Sequence, residues 1–184
     1  MANTNRPFGF EPTGFMFGTM PFEVDSSNST AFFTGDVVSQ ENDGNVVPAA
    51  AGDLVLVGSC QGSTSADTAT KALLAASTAG TVLVTFHPDQ IYITQMTTGT
   101  TQTQTMVGNN ADHVAGTGSA VTGISAHTLS GTTIPATAGF RILRLLDAPE
   151  NEVGNAARLL VLCNEHITKV VNASVDGSVG PSGI

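Results

Sequence analysis

The chain has 184 residues, 41% of them hydrophobic and 11% charged, and its formal net charge is −9. This length suits one domain with a real core and is short for two. Phosphate binding needs clustered Lys and Arg, whereas the six basic residues here are scattered along the chain. Composition therefore argues against nucleic acid and against an anionic membrane as direct partners.

The same sequence gives no sign of membrane insertion or secretion. No segment approaches the roughly 20 apolar residues that a membrane span needs. The first residues also lack the basic region followed by an apolar region that marks a signal peptide. We therefore expect a soluble chain made in a cytoplasm.

The N-terminal region is unusual because its first 33 residues hold seven of the nine phenylalanines, interspersed with prolines and glycines. Pro and Gly disfavour a regular helix, so residues 1–30 are predicted to form an extended arm. Such an arm can pack on the core of its own domain or dock on a partner, and exposed apolar area favours docking. The residues predicted to bind the partner are Pro7, Phe8, Phe10, Phe15, Phe17 and Phe22.

The body of the chain, residues 31–170, alternates β-branched and aromatic runs with turn residues. The predicted strands are residues 54–59, 82–86, 91–95, 141–146 and 159–163. Residues 66–77 have weak helical character and are assigned to a loop or one short helix. Residues 171–184 are small and polar and are predicted to form a flexible tail. The fold class is all-β, a single β-barrel or β-sandwich-like domain.

A search for catalytic and metal-binding motifs finds none. No serine lies in a nucleophile elbow, and no Cys, His or acidic spacing matches a metal site. We expect no catalytic residue, cofactor or metal, and assign no catalytic role to His87, His113, His127 or His166. Cys60 and Cys163 lie in apolar runs, which favours two buried free thiols. A single disulfide between them is the alternative.

Three carboxylates lie close together in the polar segment between the two last apolar runs. Asp147, Glu150 and Glu152 could form an acid site, a metal site or a hairpin turn. Pro149 and Gly154 are turn formers, and paired carboxylates would need a cleft to separate their pKa values. A solvated hairpin loop is the favoured interpretation, and the acids could also face a basic patch on another subunit.

Several motifs follow one another in a fixed order over most of the chain. They are NRPFGFEP near the N-terminus, TGDVV, LVGSCQG, VTFHPDQIYITQ, GTGSAVTGIS and FRILRLLDAPENEVGNAARLLVLCNEH. In this order and spacing the chain resembles the small decoration, or cement, proteins of tailed-bacteriophage capsids. Residues 61–80 depart from that pattern, because Ser, Thr and Ala stand where such proteins often carry aromatic residues.

The resemblance implies a β-rich protein on the outer capsid surface that bridges neighbouring major capsid protein subunits and stabilises the head. It implies no enzymatic activity, and it places the chain on the virion exterior after synthesis in the host bacterial cytoplasm. A homo-oligomer is expected, with a trimer favoured over a dimer, because a decoration protein matches the symmetry axis that it occupies. The alternatives are another virion component, such as a tail, neck or receptor-binding part, and, less favoured, a carbohydrate-binding module or an enzyme.

Overall fold

The structure, a computed structural model, describes residues 3–15, 17–64, 71–99, 103–132 and 138–169. The described part is all-β, with twelve strands and a single 3-10 turn, Gln104–Met106. The strands in chain order are β1 (Glu11–Thr13), β2 (Met20–Val24), β3 (Val37–Gln40), β4 (Val46–Pro48), β5 (Leu56–Ser63), β6 (Gly80–Val84), β7 (Ile91–Gln95), β8 (Asn110–Ala111), β9 (His113–Val114), β10 (Thr128–Leu129), β11 (Phe140–Leu145) and β12 (Arg158–Cys163).

The strands form two five-stranded antiparallel sheets and one two-stranded ribbon. The first sheet has the order β1-β7-β12-β11-β8, and the second has the order β2-β6-β5-β3-β4. The ribbon joins β9 to β10. Strand β12 alternates half-buried and buried positions, and its buried side chains Leu159, Val161 and Cys163 point to one face of the first sheet, as the period of two in a strand requires.

The buried apolar side chains of the sheets form two hydrophobic clusters. The first contains side chains from both five-stranded sheets, including Val37 and Leu56 from one and Phe140 and Val161 from the other. The second lies on the opposite face of β3 and β5 and contains their next residues along the chain, among them Val38. The second sheet is therefore buried on both faces along these strands, because neighbouring residues of each strand enter different clusters.

The N-terminal region is not a separate arm, and this corrects the expectation for residues 1–30. Strand β1 pairs with β7 at the edge of the first sheet, and β2 pairs with β6 at the edge of the second. Prolines do not prevent this, because an edge strand needs backbone hydrogen bonds on one side alone. The same segment therefore completes both sheets, and its strands belong to the body.

Phe10 enters the core beside a close approach of two chain segments. Gly9 has a φ of +79°, and a Cβ at this position would lie 2.3 Å from the Gly35 carbonyl oxygen. Glycine permits both features, and the next amide, that of Phe10, donates to Gly35 O at 2.8 Å. The Phe10 ring then stacks on Phe140 with centroids 4.5 Å apart and meets Tyr92 edge-on at 6.5 Å.

The predicted strands agree with the structure in place but differ at their ends. Residues 91–95 coincide with β7, whereas β5 starts two residues later than predicted and runs on to Ser63, and β6 starts two residues earlier. Residues 71–77 contain no helix, and residues 65–70 and 170–184, including the predicted tail, lie outside the described residues. Cys60 and Cys163 are buried free thiols in different clusters, as the favoured interpretation held.

Candidate functional site

The three carboxylates between β11 and β12 lie in a solvated hairpin loop. Asp147, Glu150 and Glu152 are all exposed, and the two strands that the loop joins pair directly. The neighbouring Asn151 closes the loop: its amide nitrogen donates to Leu146 O at 2.7 Å, and its oxygen accepts from the Arg158 backbone N–H at 2.8 Å. The hairpin interpretation is therefore confirmed. Among the described residues, no group of three or more His, Cys, Asp or Glu side chains could hold a metal ion.

A second group of polar side chains is buried beside a cavity of about 530 Å³ that Asp36 and His127 help to line. The His127 ring stacks on His113 with centroids 5.8 Å apart, and its Nε2 lies 3.7 Å from Asp36 Oδ1. Burial lowers the pKa of His127 to about 4 and raises the pKa of Asp36 to about 6. Both shifts follow from removing a charged form from water.

The ring of His127 has no free lone pair with which to accept a proton. Its Nδ1 accepts a hydrogen bond from the Val37 backbone N–H at 3.3 Å. The neutral ring must then carry its proton on Nε2, the nitrogen that faces Asp36. The hydrogen bond from the Val37 N–H to Nδ1 therefore braces the start of β3.

An exposed aromatic patch is formed by Phe15 and Phe17, from the connection between β1 and β2, and by His87, from the connection between β6 and β7. The side chain of Phe15 is 78% exposed and that of Phe17 is 44% exposed. The two rings meet edge-on with centroids 5.2 Å apart, and the Phe17 ring stacks on His87 with centroids 3.5 Å apart and planes 6° apart. The patch therefore presents aromatic area to solvent in a defined arrangement.

Gln90, which is buried, fixes the chain that carries this patch. Its Oε1 accepts from the Phe17 backbone N–H at 3.3 Å, and its Nε2 donates to Thr13 O at 3.0 Å and to Ile91 O at 2.9 Å. One side chain thus ties the connection between β1 and β2 to the start of β7. Because the backbone is held at Thr13, before the patch, and at Phe17, within it, less conformational entropy remains to be lost when a partner binds.

The six residues predicted to bind a partner differ in their exposure to solvent. Phe10 is fully buried in the chain's own core, so its assignment to a partner surface is corrected. Burial stabilises a large apolar ring, and the start of β1 places this ring in the core. Pro7, Phe8 and Phe22 are half-buried, and Phe22 packs on Phe86 with centroids 5.4 Å apart. Phe15 and Phe17 remain available to a partner.

Sequence reasoning missed two members of this region. His87 was considered from the sequence only as a possible catalytic residue, and nothing there indicated that it would stack on Phe17. Gln90 gave no signal at all, because its role depends on three backbone groups that come together through the fold. The exposed Met20, at the start of β2, adds apolar area close by in sequence.

No family model matches this chain, and no curated protein matches it either. Within the described residues there is no helix that is long and apolar enough to cross a membrane.

Proposed function

We propose that this chain is a decoration, or cement, protein of a tailed-bacteriophage capsid. In this proposal it binds the outer surface of the head and bridges neighbouring major capsid protein subunits. It stabilises the assembled shell by mass action, because it binds the assembled lattice and not the separated subunits. Its place is the virion exterior, and it is made in the host bacterial cytoplasm.

The observation that carries the proposal is the aromatic patch. Phe15 is 78% exposed beside the half-exposed Phe17, and Gln90 holds the backbone beneath them. Burying a phenylalanine side chain contributes about 1.5–3 kcal/mol, so two rings seated in a shell protein supply a useful fraction of a binding energy. Aromatic anchors at the centre of an interface commonly dominate its affinity.

Charge supports the same partner class. The net charge of −9, with six basic residues in the whole chain, disfavours contact with packaged DNA. A protein on the outside of the shell has no need of such contact. The sequence motifs that resemble decoration proteins support the major capsid protein of the shell as the partner.

We further propose a β-sandwich-like arrangement and a homo-oligomer, with a trimer favoured over a dimer. Support for the arrangement comes from the first hydrophobic cluster, which draws side chains from both five-stranded sheets. Support for the oligomer is the local symmetry of a capsid lattice, in which a decoration protein matches the axis that it occupies.

Sedimentation with empty heads assembled without this chain tests the proposal. The purified chain is mixed with such heads, and with unassembled capsid subunits as the control. We expect saturable co-sedimentation with the heads at a fixed ratio to the major capsid protein, and no complex with the separated subunits. Absence of binding to heads, or equal binding to free subunits, would reject a cement function.

A further inference from the structure

A polar cavity of about 280 Å³ brings together two of the six basic residues of the chain. It lies where the N-terminal segment crosses the loop between β11 and β12, and Arg6, Arg158, Gln95 and Glu150 are among its lining residues. Arg6 is exposed and Arg158 is half-buried. These two arginines are 152 positions apart in the sequence, so the fold itself creates the pairing.

Hydrogen bonds fix the walls of this cavity. The buried Gln95 accepts from the Arg6 backbone N–H at 2.9 Å and donates to Thr4 O at 2.8 Å and to Ala156 O at 2.9 Å. Earlier in the same N-terminal segment, the amide nitrogen of Asn3 donates to the backbone oxygen of Glu152 at 2.7 Å. The backbone carrying Arg6 is therefore clamped against the backbone that leads to Arg158.

Among the described residues, no ion pair joins either guanidinium to a carboxylate. The side-chain contact of Arg158 is a long hydrogen bond of 3.5 Å to Pro149 O. Glu150 also lines the cavity and forms no ion pair within the described part of the chain, so the lining side chains carry two positive charges and one negative charge. The lining of this cavity is thus net positive, whereas the chain as a whole has a net charge of −9.

We propose that this cavity is a binding site for an oxyanion, a carboxylate or a phosphate group. A guanidinium presents a planar set of N–H donors that matches either group, and such charge-assisted bonds are about twice as strong as neutral ones. Arg6 and Arg158 supply the charge, and the hydrogen bonds of Gln95 hold the backbone that carries Arg6. This site is separate from the aromatic patch and does not depend on the proposed capsid function.

The test measures binding of two probes, inorganic phosphate and citrate, to the full chain at constant ionic strength held with sodium chloride. Calorimetry gives the affinity, and NMR shifts of the Gln95 side-chain amide report the location. R6Q and R158Q each remove one guanidinium and keep a polar side chain, whereas R144Q removes an exposed guanidinium of β11 and is the matched control. E150Q removes the carboxylate that lines the cavity.

We expect saturable binding of at least one probe, weakened about tenfold or more by R6Q or R158Q, unchanged by R144Q and strengthened by E150Q. Preference between phosphate and citrate then identifies the ligand chemistry. The proposal is overturned if neither probe binds, if R144Q weakens binding as much as the cavity variants, or if both cavity variants bind like the wild type. Thermal unfolding of each variant checks that the fold is retained.

Discussion

Phe17 stacks its ring on the imidazole of His87 with planes 6° apart, while its backbone N–H donates to the buried Gln90. One exposed residue is thus held both through its side chain and through its backbone by a single turn, residues 87–90. Exposed aromatic rings are costly to leave in water, so an arrangement that fixes one in place points to a binding role.

Replacing both exposed phenylalanines should separate binding from stability. The double variant F15S/F17S removes aromatic area that contributes little to the core, so its unfolding free energy should stay within about 0.5 kcal/mol of the wild type. Its affinity for empty heads should fall by a factor of at least about ten. V121S, which changes a residue that is 81% exposed elsewhere, is the control and should bind normally. Equal binding by F15S/F17S and the wild type would remove the patch from the interface.

Truncating Phe10 should have the opposite effect. F10A deletes a fully buried ring that contacts Phe140 and Tyr92, and such changes cost about 3–5 kcal/mol of stability. Urea unfolding of F10A beside F15A, its exposed counterpart, measures the difference. Similar small losses in both variants would mean that the N-terminal region is not part of the core.

Gln90 should act on the patch without being part of it. Q90A removes the acceptor of the Phe17 N–H and the donor to Thr13 O, and leaving such groups unpaired costs about 1–3 kcal/mol. The Phe17 amide should exchange faster with solvent, and binding to heads should weaken because the patch loses its fixed backbone. Hydrogen exchange in the unbound chain measures the first effect. Unchanged protection of the Phe17 amide in Q90A would show that its hydrogen bond to Gln90 is unimportant.

Stability should depend on pH through His127. Burial lowers its pKa from the ordinary 6.5 to about 4. Between these values the unfolded chain takes up the proton and the folded chain does not, so the contribution of His127 to stability falls as the pH drops from 6.5 to 4. H127N keeps an acceptor for the Val37 N–H and should lose less stability over this range.

Asp36 contributes to the pH dependence of stability with the opposite sign. Burial raises its pKa from 3.8 to about 6, so its contribution is most favourable below pH 3.8 and is lost as the pH rises through 6. H127N removes the contribution of His127 and leaves that of Asp36. Urea unfolding at a series of pH values should therefore show a steeper loss of stability with falling pH for the wild type than for H127N. Superimposable profiles would contradict the buried neutral state of His127.

The all-β class and the positions of the main strands could be predicted because period-two patterns and turn residues are local signals. Strand β7 was predicted at its observed bounds, Ile91–Gln95. The fate of the N-terminal phenylalanines could not be predicted, because Phe10 and Phe15 have similar local sequence and differ in whether β1 delivers the ring to the core. The cavity between Arg6 and Arg158 likewise depends on residues brought together by the fold.

The most direct test of the central claim is to purify virions that carry this chain, separate heads from tails, and quantify the chain against the major capsid protein in each fraction. The account predicts that the chain co-purifies with heads in a fixed stoichiometric ratio and is removed by protease treatment of intact heads, as expected for an exterior location. Recovery in the tail fraction, or in a few copies per particle, would contradict it.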